Sequence, residues 1–263
     1  MSTWTVILLG IIEGVTEFLP ISSTGHLLLA EQWLNLSKTS EMFNVVIQSG
    51  AVLAVILAFA ARVGQMARDW RTAPVQDYLA KLAVAFVITG VGGLLLKKLG
   101  LKMPDTAAPV AWATLVGGIV ILATERFVGR RSGAGSVAWP TAIAIGCSQL
   151  LAVSFPGTSR SGVTIIVGLL LGLSRSTAAE FSFLLGVPTL LAASAYELLK
   201  HHSDPHEPWS QIALGTAVAA ITAFVVVRWL LRFIQTHTFL LFGYYRIALG
   251  GIILAFLVLK GAT

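Results

Sequence analysis

The chain has 263 residues, 56% of them hydrophobic and only 11% charged, with a mean hydropathy of +0.83 and a net charge of +6. Apolar stretches recurring along its whole length exclude a soluble globular domain, and the lack of period-2 alternation excludes a β-barrel. The excess of Arg and Lys suits loops that meet anionic membrane lipid rather than nucleic acid, and a single cysteine, Cys147 in an apolar run, excludes a disulfide framework and reads as a structural thiol.

The start, Met1-Ser2-Thr3-Trp4, lacks the basic region of a cleavable signal, so the first apolar stretch is expected to stay. That stretch, residues 4–33, is interrupted at Pro20. Glu13 and Glu17 sit one helical turn apart and point from the same face. Pro20 stops the helix, and Ser22, Ser23 and Thr24 are N-cap candidates for a second helix from about Gly25. His26 follows Ser22 and Ser23 by four and three residues, within reach of either hydroxyl. Ionisable groups at membrane depth are costly, and their default reading is a functional site.

Three spans are expected next, at about 44–61, 79–96 and 107–124. A second broken region covers 138–173, interrupted at Phe155-Pro156-Gly157, and three further spans lie at about 178–199, 211–231 and 239–260. An offset of 136 superposes Gly10 on Gly146, Pro20 on Pro156, Ser23 on Ser159 and Gly50 on Gly186. The order is a broken pair and three spans, twice over, and a unit with three crossings inverts when repeated. The expected fold is an all-α polytopic membrane protein with six transmembrane helices plus two re-entrant helix-loop-helix pairs in an inverted-topology repeat. It forms one domain, the first repeat about 1–131 and the second about 132–263. The bland alternative is that Pro and Gly merely kink ordinary spans. With both pairs re-entrant, ten Arg and Lys fall on one side and six on the other. The richer side is expected to be cytoplasmic, with both termini outside.

The second break reads Gly157-Thr158-Ser159-Arg160-Ser161-Gly162-Val163-Thr164. Hydroxyls at a helix start, a positive dipole end and a planar guanidinium suit phosphate oxygens, and in a membrane the anion is a lipid phosphate. Two glutamates beside such a site need a proton or a bridging divalent cation. His201, His202, Asp204 and His206 could bind metal but read as a solvated loop, and Glu180 and Arg246 read as interfacial or interior-facing partners.

The segments Glu13-Gly14-x-Thr16-Glu17-Phe18-Leu19-Pro20-x-Ser22-Ser23-Thr24-Gly25-His26 and Pro156-Gly157-x-Ser159-Arg160-Ser161-Gly162-x-Thr164 resemble the two signature motifs of the BacA-type undecaprenyl-diphosphate phosphatases. Gln48 and Glu180-Phe181-Ser182 also sit as in that family, and the similarity covers essentially the whole chain. The resemblance implies hydrolysis of undecaprenyl diphosphate to the monophosphate, recycling the carrier for cell-wall polymers, with bacitracin resistance on overproduction. It implies a multi-pass protein of the bacterial plasma membrane and a divalent cation, Mg²⁺ or Ca²⁺, at Glu13 and Glu17. Glu13, Glu17, Ser23, His26 and Arg160 would be catalytic. Ser22, Gln48, Ser159, Arg160, Ser161 and Thr164 would bind substrate. Ser23, His26 or water remains open as nucleophile, as does the oligomeric state, a homodimer among the alternatives.

Two rival classes fit some of these residues. A lipid-phosphate transporter or flippase shares the broken repeats. A PAP2-like lipid phosphatase shares a Ser-Gly-His echo, but Ile166 stands where that pattern needs histidine.

Overall fold

The computed structural model describes residues 1–34, 36, 41–100, 106–129, 133–201 and 209–259. His202, Asp204 and His206 lie outside the described residues, as do Lys38, Lys102, Arg130, Arg131 and Lys260 of the loop charge balance. Among the described residues five helices are long and apolar enough to cross a membrane, and a bent helix pair supplies a sixth. The protein is an all-α polytopic membrane protein.

The first broken region forms α1 (Thr3–Thr16) and α2 (Ser23–Trp33), and the second forms α7 (Trp139–Ser154) and α8 (Arg160–Leu170). Between them lie α3 (Glu41–Ala58), α4 (Ala60–Arg68), α5 (Ala73–Lys98) and α6 (Ala107–Val128); α9 (Arg175–His201), α10 (Trp209–Thr236) and α11 (Leu240–Leu259) complete the chain. The span expected to reach residue 61 ends at Ala58 instead. The chain bends by 71° there, and α4 turns away with its Arg62 and Arg68. This is where the sequence passes from Val-Leu-Ala to guanidinium, which leaves hydrocarbon for the interface.

The two breaks share one backbone solution. Ser22 and Ser159 cap α2 and α8 with φ of 74° and 70°, and their side chains accept from the amides of Gly25 and Gly162. Non-glycine residues rarely hold positive φ, and here the side-chain cap compensates. These caps are 137 residues apart, so Ser22, not Ser23, is the counterpart of Ser159. The offset of 136 holds at the prolines and slips by one because the second turn carries an extra residue, in Gly157-Thr158. Gly157 takes φ of 95°, and a Cβ there would stand 2.5 Å from the Val110 carbonyl oxygen.

Packing repeats as well: α1 lies on α10 as α7 lies on α5, while α3 meets α9 and α6 meets α11. Close approach depends on small residues, as usual within a membrane. A Cβ on Gly10, Gly14 or Gly50 would come within 2.8, 2.6 or 2.1 Å of an α10 carbonyl oxygen. On α10 the facing stripe is Gly215, Ala219 and Ala223, all buried. Cys147, read as a structural thiol in an apolar run, is a free thiol exposed on α7.

Candidate active site

Both hairpin turns arrive at one place, and Arg246 of α11 joins them. Its side chain is 1% exposed and donates to the carbonyls of Pro20 at 3.2 Å and Gly157 at 2.9 Å, one from each turn. It also donates to Thr114 and Ala113, both at 3.1 Å. A guanidinium this deep requires several acceptors, and backbone carbonyls supply them.

Across the junction, Arg160 Nη2 lies 3.0 Å from Glu17 Oε1. The guanidinium carbon also stands 5.4 Å over the Phe18 ring. Ser23 donates its hydroxyl hydrogen to the second oxygen of Glu17, Oε2, at 2.7 Å. Acid and hydroxyl from the first hairpin thus confront the guanidinium of the second.

Beside them opens a cleft of about 120 Å³ lined by Glu17, Ser22, Ser23, Thr24, Gln48, Pro156, Gly157, Ser159 and Arg160. Six of the expected site residues meet here. The N-terminus of α8 begins at this cleft, so its positive dipole end is added to the Arg160 charge.

Four expected residues do not line it. Ser161 turns inward, donating at 3.0 Å to the Leu19 carbonyl, and Thr164 lies 2.5 Å from the Ser182 hydroxyl on α9 and 2.8 Å from the Arg160 carbonyl. Both hydroxyls tie the hairpins together rather than facing an anion, because the α8 face that carries them packs on the first turn and on α9. Glu13 is 0% exposed, and neither carboxyl oxygen has a hydrogen-bond partner. His26 bonds neither serine hydroxyl. Its Nδ1 lies 2.7 Å from the Ser22 carbonyl oxygen and its Nε2 2.7 Å from the Tyr245 hydroxyl.

Tyr245 carried no sequence signal, and Ser182 stood out only through the family resemblance, since their roles depend on contacts across the fold. Arg246 did carry one, as a charge inside an apolar span, but its carbonyl partners leave no trace in sequence. Glu180 pairs at 3.0 Å with Arg62 of α4, away from the cleft.

Among the described residues no group of three or more His, Cys, Asp or Glu side chains is placed to hold a metal ion. Glu13 is nonetheless an orphaned acid one turn from Glu17. A divalent cation that takes one or two carboxylates and completes its shell with phosphate oxygens fits that donor set.

The family model described as "Bacitracin resistance protein BacA" matches residues 6–252. The chain is 50% identical over 251 residues to the undecaprenyl-diphosphatase of Rhizobium etli, covering 94% of each chain. It is 48% identical over 257 residues to that of Xanthomonas euvesicatoria pv. vesicatoria, covering 96% of each. With nearly its whole length matched and its two motifs folded against each other, the chain belongs to the BacA family.

Proposed function

We propose that this protein is an integral-membrane phosphatase that hydrolyses undecaprenyl diphosphate to undecaprenyl phosphate and inorganic phosphate. We place it in the bacterial plasma membrane with the cleft opening to the outer side, a reading supported by the larger share of Arg and Lys on the opposite loops. The observation that carries the proposal is the contact of the two hairpins: Ser23 to Glu17 at 2.7 Å and Glu17 to Arg160 at 3.0 Å, at the rim of one cleft.

The diphosphate enters against Arg160, Ser159, Gln48 and the start of α8. Its oxygens replace Glu17 as partners of the guanidinium, whose fork matches phosphate. Glu17, released from that pair, takes the Ser23 proton as Ser23 Oγ forms a bond to the terminal phosphorus. The anhydride P–O bond breaks, and undecaprenyl phosphate leaves. In the second step water attacks phosphorus while His26 Nε2 accepts its proton; the Oγ–P bond breaks and Glu17 returns the proton to Ser23. Fixed cationic groups stabilise charge on the transferring phosphoryl group in both steps.

Mg²⁺ or Ca²⁺ is the cofactor this reading calls for, with Glu13 and Glu17 to hold it. When bound, it would neutralise charge on the diphosphate. Glu13 supports this because an unpartnered carboxylate in a water-excluded site is costly without a counterion.

Phosphate release by the purified protein in detergent tests the proposal. A lipid-phosphate carrier releases none. Rapid quenching with labelled substrate should leave a phosphoryl group on Ser23, absent in Ser23→Ala; label on His26, or on no residue, would reassign the nucleophile.

A further inference from the structure

We propose that Tyr245 is a positioning residue for His26, fixing the tautomer and plane of the imidazole through its phenol hydroxyl. The proposal rests on the reading of His26 as the base of the second step. His26 lies on α2 and Tyr245 on α11, 219 residues apart in the chain. The Ser22 carbonyl oxygen, 2.7 Å from Nδ1, can only accept, so Nδ1 carries the hydrogen. In the neutral ring Nε2 then holds the lone pair, and the Tyr245 hydroxyl donates to it at 2.7 Å. The two rings lie within 3° of parallel, their centroids 5.6 Å apart.

One hydrogen bond at Nδ1 would leave the ring free to tilt about it, whereas a second at the opposite nitrogen fixes its plane. The phenol is well placed to supply that second contact. Arg246, the next residue on α11, donates to the carbonyl of Pro20, two residues before Ser22. The helix that carries the phenol is thereby registered against the turn that carries the imidazole. Tyr245 is 44% exposed, so its hydroxyl can turn aside and yield Nε2 to a water without disturbing the core. The contact presets the lone pair that a general base requires and keeps it on the nitrogen that faces away from the Ser22 backbone.

The test uses the full chain in lipid nanodiscs with ¹⁵N-labelled histidine, the His26 signals being assigned by their loss in His26→Gln. The expected wild-type spectrum shows a protonated Nδ1 and a hydrogen-bonded, unprotonated Nε2. Tyr245→Phe keeps the ring and removes only the hydroxyl. It should shift the Nε2 resonance and lower kcat by about 2- to 10-fold with KM unchanged, the worth of one hydrogen bond. An unmoved Nε2 resonance overturns the proposal, and so does a moved one with unchanged kcat. A rise in KM alone would place the phenol at the substrate and overturn it too. Full activity in His26→Gln would instead remove the base reading, while the nitrogen shifts would still report whether the contact exists.

Discussion

Glu17 and Arg160 meet at 3.0 Å although 143 residues separate them, and both side chains are almost wholly withdrawn from solvent. Ser23 occupies the other oxygen of the same carboxylate. Glu17 is therefore fully engaged, while Glu13, one turn earlier, has both oxygens free. The two acids of the motif are not interchangeable, and their substitutions should separate.

Glu17→Gln leaves the Arg160 guanidinium buried beside a neutral amide. Removing one partner of a buried pair costs ~3–5 kcal/mol, so this variant should unfold at a clearly lower temperature as well as lose phosphate release. Arg160→Lys keeps the charge but not the fork, and should lower kcat/KM by about 100-fold or more, as for other fixed donors to a reacting oxyanion. Thermal unfolding alongside phosphate release checks both. A fully active Glu17→Gln would remove the acid from the scheme.

Glu13→Gln breaks no ion pair, so stability should change little. Its effect should fall on cation dependence instead: the Mg²⁺ or Ca²⁺ concentration for half-maximal activity should rise by about 10-fold or more. Titrating each cation into chelator-treated wild type and variant measures this. Matching titration curves would show that Glu13 does not hold the ion.

Much of this site was readable beforehand because its rules are local. Pro20 and Pro156 end helices through a missing N–H, Glu13 and Glu17 share a face by helical spacing, and a hydroxyl-rich turn before a helix start is an anion site. The meeting of Glu17 with Arg160 was legible only through the matched breaks of the two halves. The direction of each side chain was not. Ser161 and Thr164 lie among hydroxyls that look alike in sequence, yet only Ser159, at the cap, faces the cleft. His26 could reach two serine hydroxyls by spacing, but α11 supplied Tyr245 as a competing partner that no local rule reveals. The one-residue slip between the turns was equally hidden, because aligning prolines and serines ignores which serine adopts positive φ.

Arg246 contributes through the backbone rather than through any acid. Arg246→Met keeps the apolar bulk but strips donors from the carbonyls of Pro20, Gly157, Thr114 and Ala113. The Ala113 and Thr114 carbonyls keep their bonds within α6, and Gly157 keeps a 3.5 Å contact from the Thr114 hydroxyl, so the chief loss falls on Pro20. A buried acceptor left unpaired costs ~1–3 kcal/mol, and stability should drop by about that much. Because two of the four acceptors belong to the turns, catalysis should fail before the fold does. In Arg246→Lys, three donors on one nitrogen cannot span acceptors spread over two turns and α6, and an intermediate loss is expected. Phosphate release measured well below the unfolding temperature separates the two effects. Wild-type kcat in Arg246→Met would show that the turns hold their places without the clamp.

The glycines facing α10 should behave unlike glycines that face open space. A Cβ at Gly50 would lie 2.1 Å from the Thr216 carbonyl oxygen, an atom of helical backbone that cannot swing aside. Gly50→Ala must therefore push α3 off α10. Gln48, two residues away on α3 and part of the cleft lining, would move with it. Both stability and activity should drop, as strain in a close-packed interface typically costs ~1–3 kcal/mol. At Gly64 and Gly90 an added Cβ meets nothing within 4 Å, and both lie within helices. There the same substitution relieves the helix of a flexible residue and should stabilise by ~0.5–1 kcal/mol with activity unchanged. Unfolding curves for the three variants in one detergent make the comparison, with each Gly→Ala change chemically identical and only the neighbour differing. If Gly50→Ala proved as benign as Gly64→Ala, the close approach of α3 to α10 would not be what positions the Gln48 side of the cleft.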